Sequence, residues 1–412
     1  MRLPTVTDVE RRLLRVGLPV LLSNAVLVFL PILARVYLGP VDYATWALLM
    51  TVVASSVLFD LGSTAFLQSA GYGVRVERRL YARSVGLAVF GVVIVTLVAL
   101  VASLALSDDL SISTATGTFV ALVAATGAAA AVRTTFSVMQ ARLQVGEEFT
   151  LRTRLSVAQS VAQVLVCWLA LAVGWGLWAL PVSLTLSVAP FLLVAHTALA
   201  RREHRLPAAQ PSGTMSGFAT TRALSAVLVT ASSQADRWVL ASIAPATFVT
   251  NYDLALRAAA LPLTVVLALF AGFIAEGAAA PGLAARRALV RSATLRVGVV
   301  VGLLSLGGLA IVLVALQLGV DIVNTQLVIV LLLALIWYGM NSLTAPTTMT
   351  FIGVGKPVNE FRYTVPVVLL SAIGWSIAAA LGNPWLVPVT TLIAVTACAS
   401  WFVHYGIHKA RY

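Results

Sequence analysis

Ala200-Arg-Arg-Glu-His-Arg-Leu-Pro-Ala-Ala-Gln-Pro-Ser-Gly-Thr-Met-Ser-Gly217 is the longest polar interruption in a 412-residue chain that is 60% hydrophobic and only 10% charged. Its charged half leads into Pro207, Pro211, Ser212 and Gly213, a composition that ends helices and makes a linker. On each side lie six apolar stretches of about 20 or more residues, each long enough for a helix rising 1.5 Å per residue to cross a hydrocarbon core of roughly 30 Å. The expected spans are 14–38, 44–70, 83–106, 114–139, 156–174, 177–199, 218–242, 248–275, 293–316, 325–350, 364–382 and 385–404. The chain therefore reads as an all-α membrane protein of twelve transmembrane helices. Residues 1–200 form an N-lobe of six helices, 201–217 a cytoplasmic linker and 218–412 a C-lobe of six helices.

Charge distribution supports that count. Of 27 Lys and Arg residues, 23 fall in seven segments that alternate with loops holding Asp42, Asp108, Asp109 and Asp321 and no basic residue. Short basic loops stay on the cytoplasmic side, so the alternation puts both termini in the cytoplasm. The expected location is the cytoplasmic (inner) membrane, as a multi-pass protein. The net charge of +12 is accounted for by this orientation and gives no reason to expect nucleic acid as a partner. The first span is long and lacks a small-residue cleavage site, so it reads as a retained anchor. Cys167 and Cys398 fall inside spans, which argues against a disulfide framework.

The two halves echo each other. Pro40, Tyr43 and Thr45 follow the first span at the spacing at which Pro245, Phe248 and Thr250 follow the seventh. Two parallel six-helix repeats related by an axis along the membrane normal leave a central cavity between lobes, with binding sites at the repeat interface. That architecture belongs to transporters.

Tyr37-Leu-Gly-Pro-Val-Asp-Tyr43, followed by Asp60-Leu-Gly62, resembles the N-lobe signature of polysaccharide lipid flippases of the O-antigen and exopolysaccharide type. These belong to the multidrug/oligosaccharidyl-lipid/polysaccharide (MOP) superfamily. Gln234-Ala-Asp-Arg-Trp-Val-Leu240 with Thr250-Asn-Tyr-Asp253 is similar to the matching C-lobe signature, and Gly353-Val-Gly-Lys-Pro357 to a short glycine and basic turn of the same family. Ala44 stands where the family usually has glycine. The resemblance implies two six-helix bundles around a central cavity. It also implies translocation of an undecaprenyl-diphosphate-linked oligosaccharide to the outer leaflet, beside a polysaccharide polymerase and glycosyltransferases of the same pathway.

The remaining basic residues, Arg35, Arg133, Arg237 and Arg257, lie inside spans, as do Asp60, Asp236 and Asp253. A charge facing lipid costs roughly 2.5–3.5 kcal/mol or more, so such groups turn toward a bundle interior or a wet cavity. Two readings follow. The charges lock helices together in pairs, as the four-residue spacing of Asp253 and Arg257 allows. Alternatively the arginines line a cavity and bind phosphate oxygens with their planar forks. Asn24, Ser233, Gln234 and Asn341 are expected to add polar lining to the cavity, among a wider set that includes Gln68, Thr230 and Thr344, and Pro346 could kink the tenth span. No phosphate-cradling Gly-x-x-x-x-Gly-Lys-[Ser/Thr] sequence is present, and no cofactor is expected. Coupling would then fall to a H+ or Na+ gradient, with Asp60, Asp236 or Asp253 as carriers.

Three other classes share parts of this pattern. A membrane enzyme acting on lipid-linked sugars needs a water-exposed acid/base or metal constellation. The external loops hold only lone Asp residues and the Asp108-Asp109 pair, while His196, His204, His404 and His408 fall near the cytoplasmic face. A drug or cation antiporter of the multidrug and toxin extrusion branch shares the two-lobe plan, but its cations favour acidic and aromatic cavities. A non-transporting scaffold would tolerate neutralising the intramembrane charges.

Overall fold

The computed structural model describes residues 23, 26–27, 29–58, 60–68, 74–106, 114–202, 207, 215–269, 280, 282–354 and 356–410. Regular structure among them is helical, and the chain is a multi-pass membrane protein. The helices are α1 (Phe29–Leu58), α2 (Ser63–Gln68), α3 (Arg78–Ala105), α4 (Thr116–Val145), α5 (Phe149–Ala172) and α6 (Ala179–Arg202), then α7 (Met215–Ile243), α8 (Ala246–Leu269), α9 (Gly282–Gln317), α10 (Thr325–Gly353), α11 (Phe361–Leu381) and α12 (Leu386–His404). Among the described residues, nine helical segments are long and apolar enough to cross a membrane.

Two breaks depart from the expected spans. The loop expected between the first two spans shrinks to one residue, Gly39, at φ 70° and ψ 176° inside α1. Only glycine takes that φ without strain, and Pro40 behind it disfavours helix at residue 39 while suiting the first position of a new helix. The span expected over 44–70 stops at Leu58 and resumes at Ser63, with Leu61 (φ 51°) and Gly62 (φ 73°) making the turn. A third departure concerns Arg286, Arg287 and Arg291, expected in a loop, which lie on α9 itself. Its 36 residues run about 54 Å, well beyond a hydrocarbon core, so the first turns carry the arginines clear of it.

The chain forms two compact units, Leu22–Thr250 and one running from Asn251 to the C-terminus. In the first, α4 packs on α3, α6 and α1, α5 packs on α6, and α7 packs on α1. Phe136, Met139, Leu155, Val188 and Leu199 fill the seam of α4, α5 and α6. In the second, α10 packs on α9 and α12, and α12 on α11, with Val266, Val297, Val301 and Ala345 as a smaller core. Since α7 falls in the first unit, the compact units divide at Thr250/Asn251, within α8.

Small residues let helices approach, as they do where lipid supplies no hydrophobic drive between helices. A Cβ on Gly127 would run into Thr96 of α3, and one on Gly374 into Thr390 of α12. Some buried hydroxyls bond within their own helix, Ser56 to the Val52 carbonyl (2.7 Å) and Ser342 to that of Tyr338 (2.7 Å). The outside is apolar instead: Leu303, Leu306 and Ile311 of α9 are exposed. Cys167 and Cys398 are buried and unbonded.

Candidate functional site

In the first unit, Asp60 sits in the turn between α1 and α2. Its Oδ1 accepts the Gly62 amide (2.8 Å) and Oδ2 the Thr64 amide (3.0 Å), so the carboxylate caps α2 at its N-terminus. On α7, Asp236 and Arg237 are 3% and 5% exposed. Arg237 Nη1 stands 3.4 Å from Asp236 Oδ1 and donates to the Ser233 carbonyl (2.7 Å) and Gln234 Oε1 (3.5 Å), while Gln234 Nε2 donates to Ser233 Oγ (3.3 Å). These contacts hold Nη1 against its own helix. Arg35 on α1 and Arg133 on α4 are half-buried, and neither guanidinium has a hydrogen-bond or ion-pair partner among the described residues.

Gln234 also lines a cavity of about 390 Å³ bounded by α1, α3 and α7. Its back wall is fixed by Trp238, whose Nε1 donates to Thr51 Oγ1 (2.9 Å) and whose ring lies 6.5 Å from that of Phe119.

In the second unit, Arg257 Nε donates to Asp253 Oδ2 at 2.5 Å, one turn along α8. Asp253 is fully buried, whereas the Arg257 side chain keeps 25% of its surface. Near the start of α8, Asn251 donates to Gln326 (2.6 Å) and accepts from Asn324 (3.3 Å), which ties α8 to the start of α10. Asn341 accepts the Tyr363 hydroxyl (2.8 Å) and so joins α10 to α11. Asn24 and the carboxylates Asp108 and Asp109 lie outside the described residues.

In the first unit the structure joins Ser233, Gln234, Asp236 and Arg237 in one network while Asp60 caps α2; in the second it pairs Asp253 with Arg257 and sets Asn341 on Tyr363. It also holds a polar seam that sequence reasoning missed. Ser156 Oγ donates to Gln140 Oε1 (2.9 Å), and Gln159 Nε2 reaches Gln163 Oε1 (3.1 Å) and Ser187 Oγ (3.5 Å), linking α4, α5 and α6. The Nε2 atoms of Gln140 and Gln163 and Ser160 Oγ are buried without a hydrogen-bond partner among the described residues. Two glutamines four residues apart inside an apolar span were the available signal.

No protein-family model matches the chain, and no curated protein sequence does. Solved structures do match it in fold. One is a MOP-superfamily transporter from Pyrococcus furiosus, for which a reversed polarity of the binding pocket suggests a different function; it is 16% identical, with a TM-score of 0.67 over 98% of both chains. Two others are multidrug resistance MATE-family transporters of the MOP superfamily. The outward-facing one is 15% identical with a TM-score of 0.65 over 98% of both chains, and the inward-facing one 15% identical with a TM-score of 0.66 over 96% of both. The chain has the fold of MOP-superfamily transporters.

Proposed function

We propose that this protein is an exporter of the multidrug and toxin extrusion type, carrying an amphiphilic solute across the cytoplasmic membrane by alternating access. The observation that carries this reading is the likeness in fold over essentially the whole chain to MATE-family transporters in both outward-facing and inward-facing conformations. It favours that branch over the polysaccharide flippases suggested by the short motifs. The proposed topology keeps twelve spans and cytoplasmic termini, with lobes at 1–200 and 218–412. In support of the count, the break at Gly39 divides one of the nine apolar segments, and the charged helices α7 and α8 add two more.

Drive comes from a H+ or Na+ gradient, since the sequence offers no nucleotide-phosphate loop. Asp253 is the proposed coupling carboxylate. Its protonation removes the charge that holds Arg257, the one member of the pair with accessible surface, and so changes what the guanidinium can grip.

A second reading, translocation of undecaprenyl-diphosphate-linked oligosaccharide alongside a polymerase and glycosyltransferases, is favoured by one observation. The charged span residues whose side chains keep accessible surface and are not tied into caps are arginines, namely Arg35, Arg133 and Arg257, while Asp236 and Asp253 are buried and Asp60 caps a helix. Gene deletion separates the two. Hypersensitivity to lipophilic cations with normal surface glycan is expected for the exporter; completed lipid-linked repeat units stranded on the cytoplasmic leaflet would replace it with the flippase.

A further inference from the structure

The cavity between α1, α3 and α7 has two unlike sides. Its α3 wall is wholly aliphatic, with Val95, Val98, Ala99 and Ala102 in it, whereas Thr51 and Ser55 on α1 and Thr230 and Gln234 on α7 put polar atoms on the opposite side. Two of its lining residues also belong to the outer surface: Val98 is 64% exposed and Val227 is 47% exposed. On α3, Val98 is flanked by exposed Leu97 and Val101, so the mouth opens beside an exposed apolar face of a helix long and apolar enough to cross a membrane.

What fills the space follows from the medium at its mouth. Water needs two to four polar partners, and the α3 wall gives it none. Hydrocarbon meets no such penalty, and a volume of about 390 Å³ lies in the range of small-molecule sites, about 300–1,000 Å³. The space is preformed rather than collapsible, because Trp238 is pinned to Thr51 and small Ala99 and Ala102 leave the opposite wall recessed.

We propose that this chamber is a binding site for a single hydrocarbon chain of a membrane lipid, entered sideways from the bilayer between α3 and α7. Occupancy does not depend on the transport reading: the site exists in a resting protein and is tested without turnover.

The full-length protein is reconstituted in nanodiscs of phosphatidylcholine and phosphatidylglycerol doped with a phosphatidylcholine whose acyl chain carries a diazirine. It is then irradiated, and adducts are mapped by mass spectrometry. Label is expected on the chamber walls, on the α3 peptide holding Ala99 and the α7 peptide holding Thr230 and Gln234. Ala99→Phe, which fills the recess, is expected to abolish label on α7 while leaving that on the exposed Leu303 and Ile311 of α9. Should that variant fail to elute as a monodisperse species, Ala102→Leu is read in the same way. Wild-type label confined to outward positions such as Leu97 and Val101, or α7 label unchanged in a folded, filled variant, would overturn the site. Because no transport is measured, a transport-inactive protein that labels as expected overturns only the function proposed above.

Discussion

The hydroxyl of Thr250 donates to the carbonyl oxygen of Pro40 at 2.6 Å, joining positions 210 residues apart in sequence. Pro40 opens the second helix after the Gly39 break, and Thr250 is the buried residue that closes the echoing Pro245, Phe248, Thr250 triplet. The bond joins the first member of one triplet to the last member of the other. Thr250→Val keeps the shape and leaves the carbonyl without its donor, which should lower stability by about 1 kcal/mol, while Thr250→Ser should retain most of it. Thermal melting in detergent, read by loss of the monodisperse size-exclusion peak, checks both.

Asp253 and Arg257 form an ion pair one turn apart on α8, and the carboxylate is fully buried. Removing one partner of a buried pair costs about 3–5 kcal/mol, and the partly accessible arginine puts this case toward the lower end. Asp253→Ala should therefore destabilise more than the double variant Asp253→Ala/Arg257→Ala. A double-mutant cycle on thermal midpoints gives the coupling directly; a coupling near zero would mean the pair does not hold α8.

Glycines on the same kind of helix should respond in opposite directions. Gly307 of α9 has nothing within 4 Å of where a Cβ would stand, so Gly307→Ala should gain up to about 1 kcal/mol from helix propensity. Gly374 of α11 faces Thr390, whose hydroxyl is fixed on the Leu386 (2.7 Å) and Val387 (3.3 Å) carbonyls and cannot swing away. Gly374→Ala should lower the melting midpoint despite the same propensity gain.

Much of the helical plan was legible because it is written in charge and hydropathy, which act over whole segments. The Asp253–Arg257 pair was legible too, since a spacing of four residues fixes a shared face. Asp60 was read as an ion carrier or a charge-pair member, and its capping of α2 depends on a turn at Leu61-Gly62 inside what hydropathy makes one span. The contacts of Arg237 Nη1 with Ser233 and Gln234 were not legible, because sequence does not give the rotation of α7 about its axis. The glutamine seam of α4 to α6 escaped notice because uncharged residues leave no mark on topology.

Single-cysteine labelling tests the twelve-span topology, with Cys167 and Cys398 buried and therefore a low background. In intact cells a membrane-impermeant maleimide should modify Asp42→Cys and Asp321→Cys, and should reach Lys356→Cys only after permeabilisation. Labelling of all three from outside would break the alternation of basic and acidic loops on which the topology rests.

The central claim is gradient-driven export. Everted membrane vesicles containing the protein, given a fluorescent lipophilic cation in the outside medium and an imposed H+ or Na+ gradient that is high in the lumen, test it most directly. The account predicts accumulation of the dye that stops when the gradient is collapsed and is lost in Asp253→Asn. Dye distribution identical to that of vesicles lacking the protein, under both gradients, would contradict it.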